Sequence, residues 1–352
     1  MPALLLDLTC YLMRASALPS TLLLAIALAA CTAGQSAQEP VLDDSYQWTA
    51  GDPIIRSDAL PDADWIAMKD PSIVYYDGRY HTFFTVRGYE RSHGLAYLSF
   101  ADFDEADANE AIMMPHHDGY AAAPQVFYFS PHEKWYMVAQ TRNPEWDPPY
   151  QAAYATTTDI SDPTSWSEMK PMEVPRPEDN RYLDFWVIAD DEKMHLFFTS
   201  DNGNMWREET ALADFPYGWT EPVLAQQTDI FEASHIYKVN GTDQFINVIE
   251  ATLPGDRRYF KLYATDALDG EWAPIAADSS HAFAAMNNVA FEGERWTDSI
   301  SHGELVRSGY DEAMEVDGDD YTFVYQGVPI AVRQGLPYGE IPWSIGVLRE
   351  VE

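Results

Sequence analysis

Five times along the chain a β-rich run is followed by a turn and a second β-rich run, and this repetition restricts the fold more than any other feature of the sequence. The phrases are DPSIVYYDGRYHTFFT from Asp70, PQVFYFSPHEKWYMVAQ from Pro124, DFWVIADDEKMHLFFTS from Asp184, EASHIYKVNGTDQFINVIE from Glu232 and GELVRSGYDEAMEVDGDDYTFVYQG from Gly303. The turn chemistry at Asp77-Gly78, Ser130-Pro131, Asn240-Gly241 and Asp317-Gly318 reads as hairpin connections. No stretch repeats apolar residues at helical spacing for more than two turns. The starts lie roughly 50 to 70 residues apart, the period of a four-stranded blade with its loops. The expected fold is therefore all-β, a five-bladed β-propeller over residues 51–352. A sandwich or jelly roll is the alternative, but it does not explain why the units open on polar residues.

Composition narrows the partners. A formal net charge of −36 sets the chain against nucleic acid, whose phosphates it would repel, and against anionic polymers. An acidic surface of this kind is tolerated where salt screens the repulsion. Aromatic residues make up 14% of the chain, with 11 Trp and 21 Tyr. That surplus suits flat rings stacking on sugars and a large β core equally well.

The two cysteines, Cys10 and Cys31, precede the globular part, so a disulfide or thiolate metal site is not expected in the folded domain. The run TLLLAIALAAC, Thr21 to Cys31, is too short to span a bilayer. It fits the apolar region of an export signal with Arg14 ahead of it. Its ending, LAAC, resembles a bacterial lipobox, in which the cysteine is acylated and becomes the first residue. Residues 1–30 are thus expected to be a lipoprotein-type signal peptide, with translation truly starting at Met13. Residues 31–50 are expected to be a polar tether. An ordinary secretory signal is the alternative. The expected location is outside the cytoplasm, lipid-anchored through Cys31 at the cell surface or outer membrane, and otherwise secreted.

In a propeller the first strand of each blade lies beside the axis. Asp70, Asp184 and Glu232, which open three of the phrases, should then converge on one mouth of the axial channel. Converging carboxylates repel one another and force at least one pKa upward, which proteins retain for a metal or for acid/base work. Hydrolysis of a glycosidic bond needs one carboxylate to activate water and a second, protonated carboxyl to donate to the leaving oxygen. Lys69 would neutralise part of the cluster and reach a sugar hydroxyl.

The phrases KDPSIV, APQVFYF, DFWVIADD, FEASHIYKV, ISHGELVR and YGEIPWSIG run in order from Lys69 to about Gly346. Together they resemble glycoside hydrolase family 62, the α-L-arabinofuranosidases that strip side chains from arabinoxylan. That resemblance implies an inverting exo-acting enzyme with Asp70 as general base, Glu232 as general acid and Asp184 as the residue that raises the acid's pKa. It implies sugar or xylan contacts for Lys69, Gln125, Trp186 and Tyr338. It also implies a structural calcium ion beside His302 at the propeller axis, although calcium prefers oxygen ligands and a core histidine is the plainer reading of the sequence. Ser301 and His302 point to opposite faces of one strand, which disfavours a Ser-His-Glu triad.

The segment from Arg87 to Tyr120 departs from the family pattern. Its His116-His117 pair reads as a surface loop and not as a metal site. In RNPEWDPPYQ, Trp146 and Tyr150 are placed to stack on xylose units. A monomer is expected, with arabinoxylan or a related arabinose-bearing polysaccharide as partner. The competing readings are a family 43-like arabinan or xyloside hydrolase and a non-catalytic, glycan-binding surface propeller.

Overall fold

The computed structural model describes residue 42 and residues 45–351, apart from 57–58, 60–63, 89–92, 116–118, 177–181 and 201–202. The export signal, the start at Met13, Cys31, most of the tether and the His116-His117 pair lie outside the described residues.

The chain folds as a five-bladed β-propeller. The inner strands of the blades are Trp65–Tyr76, Tyr120–Phe129, Tyr182–Ala189, Glu232–Val239 and Ser301–Leu305. Each pairs antiparallel with a second strand, and in blades 1 to 4 further strands follow in sequence order. The Asp77-Gly78 turn behaves as read, with both residues at positive φ between paired strands. The one α-helix described is the single turn Ile330–Arg333.

Blade 5 is completed from both ends of the chain. Trp48–Ala50 pairs antiparallel with Ser344–Glu350, Trp48 facing Glu350. The propeller thus begins at Trp48, inside the stretch expected to be tether. The fifth phrase also differs from the hairpin expected of it. Its strands, Ser301–Leu305 and Thr322–Gly327, pair directly, but residues 306–316 between them form a strap across the far end of the axis. Tyr310 O accepts from Tyr128 N–H (2.8 Å), Glu312 O from Ala189 N–H (2.7 Å) and Met314 O from Lys238 N–H (3.1 Å). Arg307, a buried residue of the strap, donates to Ile73 O (3.2 Å) and Val126 O (2.7 Å). The Asp317-Gly318 turn ends this strap instead of joining adjacent strands.

Every inner strand carries a β-bulge at the same height. One residue is looped out of register in each: within Lys69/Ser72, Ala122/Gln125, Leu183/Trp186, Glu232/Ser234 and Ser301/Gly303. Asp70, Ala123, Asp184 and Ala233 take left-handed backbone conformations there, at a cost of about 1–2 kcal/mol each for a residue with a Cβ. A bulge frees a backbone N–H from the ladder. Here four of the freed groups are capped by side chains. Ala123 N–H donates to Thr85 Oγ1 (2.8 Å), Asp184 N–H to Gln140 Oε1 (3.2 Å), Ala233 N–H to Asp184 Oδ2 (2.9 Å) and Asp70 N–H to Gln326 Oε1 (2.8 Å). In each case the cap comes from the preceding blade.

Two residues past each bulge, a side chain reaches into the next blade. Ser72 Oγ accepts from Val126 N–H (3.0 Å). Gln125 accepts from Val187 N–H and donates to Val187 O, both at 2.7 Å. Trp186 Nε1 donates to Ile236 O (2.8 Å), and His235 Nδ1 donates to Gly303 O (2.8 Å). Glu304 faces the Ser72 hydroxyl and the Ile73 amide of blade 1, which closes the circle.

Gln125 and Trp186, expected at the sugar, therefore belong to this ring. Each is only 1% exposed, and their polar atoms are engaged by the neighbouring blade. The extra residue in the bulge shifts the alternation and turns both away from the mouth. Replacing Gln125 with Leu should leave both polar groups of Val187 unpartnered by a side chain and cost about 2–4 kcal/mol. A urea-unfolding midpoint equal to that of the parent protein would refute that role.

Candidate active site

The bulge explains how consecutive residues can face one mouth. In a regular strand Lys69 and Asp70 would point to opposite faces. With Asp70 left-handed, the Lys69 ammonium lies 3.6 Å from Asp70 Oδ1. Asp184 holds the same bulge position in blade 3. Glu232 does not: it stands one residue before its bulge, at the height of Lys69, and Ala233 takes the looped position. The three carboxylates converge as the repeat alignment expects, but from two heights.

His302, the looped residue of blade 5, sits between the two aspartates. Its Nδ1 is 3.6 Å from Asp70 Oδ1 and 3.9 Å from Asp184 Oδ2. Beneath it His235 makes an edge-on ring contact at 5.2 Å and stacks on Trp186 at 4.3 Å. Burial drives the His235 imidazole toward its neutral form, which suits a ring that donates to a carbonyl and lies beside a second histidine.

The carboxyl groups are electrostatically unlike. Burial alone would raise Asp70, but Lys69, His302 and a hydrogen bond from Thr85 overcome it and hold this carboxyl below its ordinary range. Glu232 goes the other way. Burial and the Asp184 carboxylate, with Asp70 adding to them against Lys69 and His302, push it up to about 7. One group is thus fixed as an anion and the other keeps its proton near neutrality, the pairing that acid/base chemistry on one bond requires. Burial opposes the charge on Lys69, yet Asp70, Tyr338 and Glu232 hold it above the usual lysine range.

The rim is aromatic. Lys69 Nζ lies 5.2 Å from the Tyr338 ring centroid, and Tyr338 is 46% exposed. On the other side, His93 packs edge-on to Tyr120 at 4.8 Å and Tyr120 stands 5.9 Å from Tyr150. Tyr120 is tied to the floor by Gln140 Nε2 (2.9 Å), the side chain whose oxygen caps Asp184. Burial pushes the Tyr120 hydroxyl up to about 12, so it remains a neutral donor. Trp146 and Tyr120 share a cavity with Arg142 and Glu168 beyond this wall. Sequence reading missed His93, Tyr120, Gln140 and Gln326. None carries a motif, and their relevance arises only from strand pairing.

The expected calcium finds a poor donor set. A hard cation takes six to eight oxygen ligands. Around His302 stand a second imidazole, the Asp70 carboxylate already paired with Lys69, and the Asp184 carboxylate. Among the described residues no three His, Cys, Asp or Glu side chains gather closely enough to hold a metal. The protein groups present do not form a calcium cage.

A propeller whose axial mouth pairs an anionic carboxylate with a protonated one, inside an aromatic rim, has the architecture of a glycoside hydrolase. The chain matches Glycosyl hydrolase family 62 over residues 47–349, and it belongs to that family. It is 37% identical over 310 residues to alpha-L-arabinofuranosidase C of Cellvibrio japonicus (strain Ueda107), a match covering 86% of this chain and 47% of that protein. It therefore spans about half the length of this curated relative. The catalytic domain of the Coprinopsis cinerea family 62 α-L-arabinofuranosidase superposes with a TM-score of 0.81 at 35% identity, covering 88% of this chain and 98% of that one. A family 62 hydrolase in complex with xylotriose gives a TM-score of 0.78 at 33% identity, covering 87% and 98%.

The two tasks of Asp184 can be separated. Its Oδ2 accepts the Ala233 N–H (2.9 Å) and so holds the strand that carries Glu232. Asp184→Ala should orphan that buried donor and cost roughly 1–3 kcal/mol, whereas Asp184→Asn keeps an acceptor and should cost less. Equal unfolding temperatures for the two variants would remove the anchoring role.

Proposed function

We propose that this enzyme is an inverting exo-α-L-arabinofuranosidase that removes arabinose side chains from arabinoxylan. The observation that carries the reading is the split between Asp70, held anionic, and Glu232, held protonated near neutrality, in one mouth. A propeller that only binds glycans has no use for that costly difference. The names of the relatives support arabinofuranose as the sugar released. The xylotriose complex of the homologous hydrolase supports a xylan backbone outside the pocket.

In this reading the arabinofuranosyl ring occupies the pocket above His302. Asp70 takes a proton from a water as that water's oxygen attacks the anomeric carbon. Glu232 gives its proton to the departing xylose oxygen, and the C–O bond breaks without a covalent sugar–enzyme intermediate. Asp184 keeps the proton on Glu232 and anchors its strand. Lys69 balances Asp70 and donates to a sugar hydroxyl, with Tyr338 packed against it. No step of this mechanism uses calcium at His302. The LAAC ending supports export and acylation at Cys31, and mass spectrometry of the mature N-terminus tests it: an unmodified thiol there would rule the anchor out.

The working form carries a proton on Glu232. As pH rises through about 7, that proton is lost, so kcat/KM should fall on an alkaline limb centred near neutrality. Glu232→Gln should lose most activity on arabinoxylan oligosaccharides, roughly 100-fold or more, while a nitrophenyl arabinofuranoside, whose leaving group needs less protonation, should suffer much less. Equal loss on both substrates would exclude Glu232 as the acid.

A further inference from the structure

The second strand of every blade carries a buried polar residue opposite the residue just before the bulge. Strand pairing sets Thr85 across from Lys69, Gln140 from Ala122, Thr199 from Leu183, Glu250 from Glu232 and Gln326 from Ser301. Four of the five are neutral. Three of those four, Thr85, Gln140 and Gln326, cap the bulge N–H of the next blade. Only blade 4 departs from neutrality, with a carboxyl group that is 0% exposed, and it does so directly across from Glu232.

Burying a carboxyl where a glutamine satisfies the same geometry elsewhere is costly. Its surroundings are arranged for a group that can carry charge. Glu250 Oε1 accepts from Ser301 Oγ (2.7 Å) and lies 3.6 Å from Arg258 Nε. Ser301 Oγ accepts from Gln326 Nε2 (3.2 Å), and Gln326 Oε1 caps Asp70 N–H (2.8 Å). The Glu250 main-chain oxygen accepts from Phe231 N–H (2.8 Å), immediately before Glu232. The Glu250 carboxyl is thus linked through Ser301 and Gln326 to the backbone of Asp70, while its main chain holds the residue before Glu232.

We infer that Glu250 is a positioning residue that acts through Glu232: it sets a second buried carboxyl directly across the strand pair from the acid and thereby helps to keep the proton on it. This rests on the reading of Glu232 as general acid and adds a residue to it. Tyr338 faces both carboxyls and stays a neutral phenol there. Burial and Glu232 itself push Glu250 up to about 7, against Arg258, His302 and the Ser301 hydroxyl. Glu232 faces Asp184 and Asp70 on the raising side, and Lys69 and His302 on the lowering side. Arg258 is partly occupied elsewhere, by Asp256 and by the face of Phe231 at 3.3 Å. Two interacting carboxyls on paired strands release their protons in coupled steps that belong to the pair.

Glu250→Gln keeps an acceptor for Ser301 and removes the charge. The ionised form of Glu232 is then less disfavoured, so its proton leaves at lower pH. The loss of Arg258's partner acts in the same direction. The alkaline limb of kcat/KM on an arabinoxylan oligosaccharide should move down by about half a pH unit or more. The Glu232 carboxyl band, isolated by infrared difference against Glu232→Gln, should titrate lower by the same amount. A limb and a band that both stay in place, whatever happens to the rate, would overturn the inference and leave Glu250 a structural residue. A band that moves while the limb does not would uphold the inference and instead remove Glu232 from the acid's role. Should Glu250→Gln fail to fold, reciprocity supplies the second measurement. In Glu232→Gln, the Glu250 band should titrate lower than in the parent protein, and an unmoved Glu250 band would be equally fatal.

Discussion

Everything at the mouth depends on one backbone irregularity repeated five times: an extra residue in the inner strand of each blade. A bulge at a buried position leaves an N–H out of the ladder, and buried N–H groups in native structures are almost always paired. Here the preceding blade supplies the partner, through Thr85, Gln140, Asp184 and Gln326. The same extra residue shifts the alternation of side chains, so that those two positions later reach sideways into the next blade. Curvature, cohesion between blades and the aim of Asp70 and Asp184 thus share one cause.

The arrangement also fixes where charge is tolerated. Asp70 is solvated by Lys69, His302 and the Thr85 hydroxyl in place of water. At Glu232, burial and the Asp184 carboxylate outweigh Lys69 and His302, so the cheaper state keeps its proton. The difference between the two carboxyls does not arise from residue type, since both are ordinary acids in a chain of net charge −36. It arises from the neighbours that strand pairing delivers. Most of the aromatic surplus serves the core: Trp48, Trp186 and Trp343 are among the largest fully buried side chains, while a smaller set around Tyr120 and Tyr338 walls the mouth.

The propeller was legible because its period is written in local chemistry, with β-rich runs punctuated by turn residues. The acidic trio was legible because strand starts in a propeller meet at the axis. What escaped was phase. A bulge leaves no mark in composition, and Ala123 and Ala233 take left-handed conformations that sequence reading assigns to Gly or Asn. Without that extra residue, Gln125 and Trp186 count onto the wrong side of the strand, and Glu232 counts one position too high. Glu250 was hidden differently. It lies in FINVIEATL, which reads as a core strand, and only its cross-strand partner gives the charge a meaning. The strap of residues 306–316 was taken for a hairpin because its turn signal is genuine but belongs to a longer excursion.

The last blade has a consequence for how such a ring comes together. Thr49 and Arg349, neighbours in that sheet, are 300 positions apart in sequence. Bringing the ends of so long a flexible loop together costs on the order of 5 kcal/mol of chain entropy, which the already formed neighbouring blades must largely remove in advance. Four blades can assemble from contiguous hairpins as they emerge during synthesis. The fifth lacks its final partner until the last strand exists. A nascent or truncated chain would therefore be an open arc with two unsatisfied flanks, and the finished molecule should fray first at the seam where its beginning meets its end.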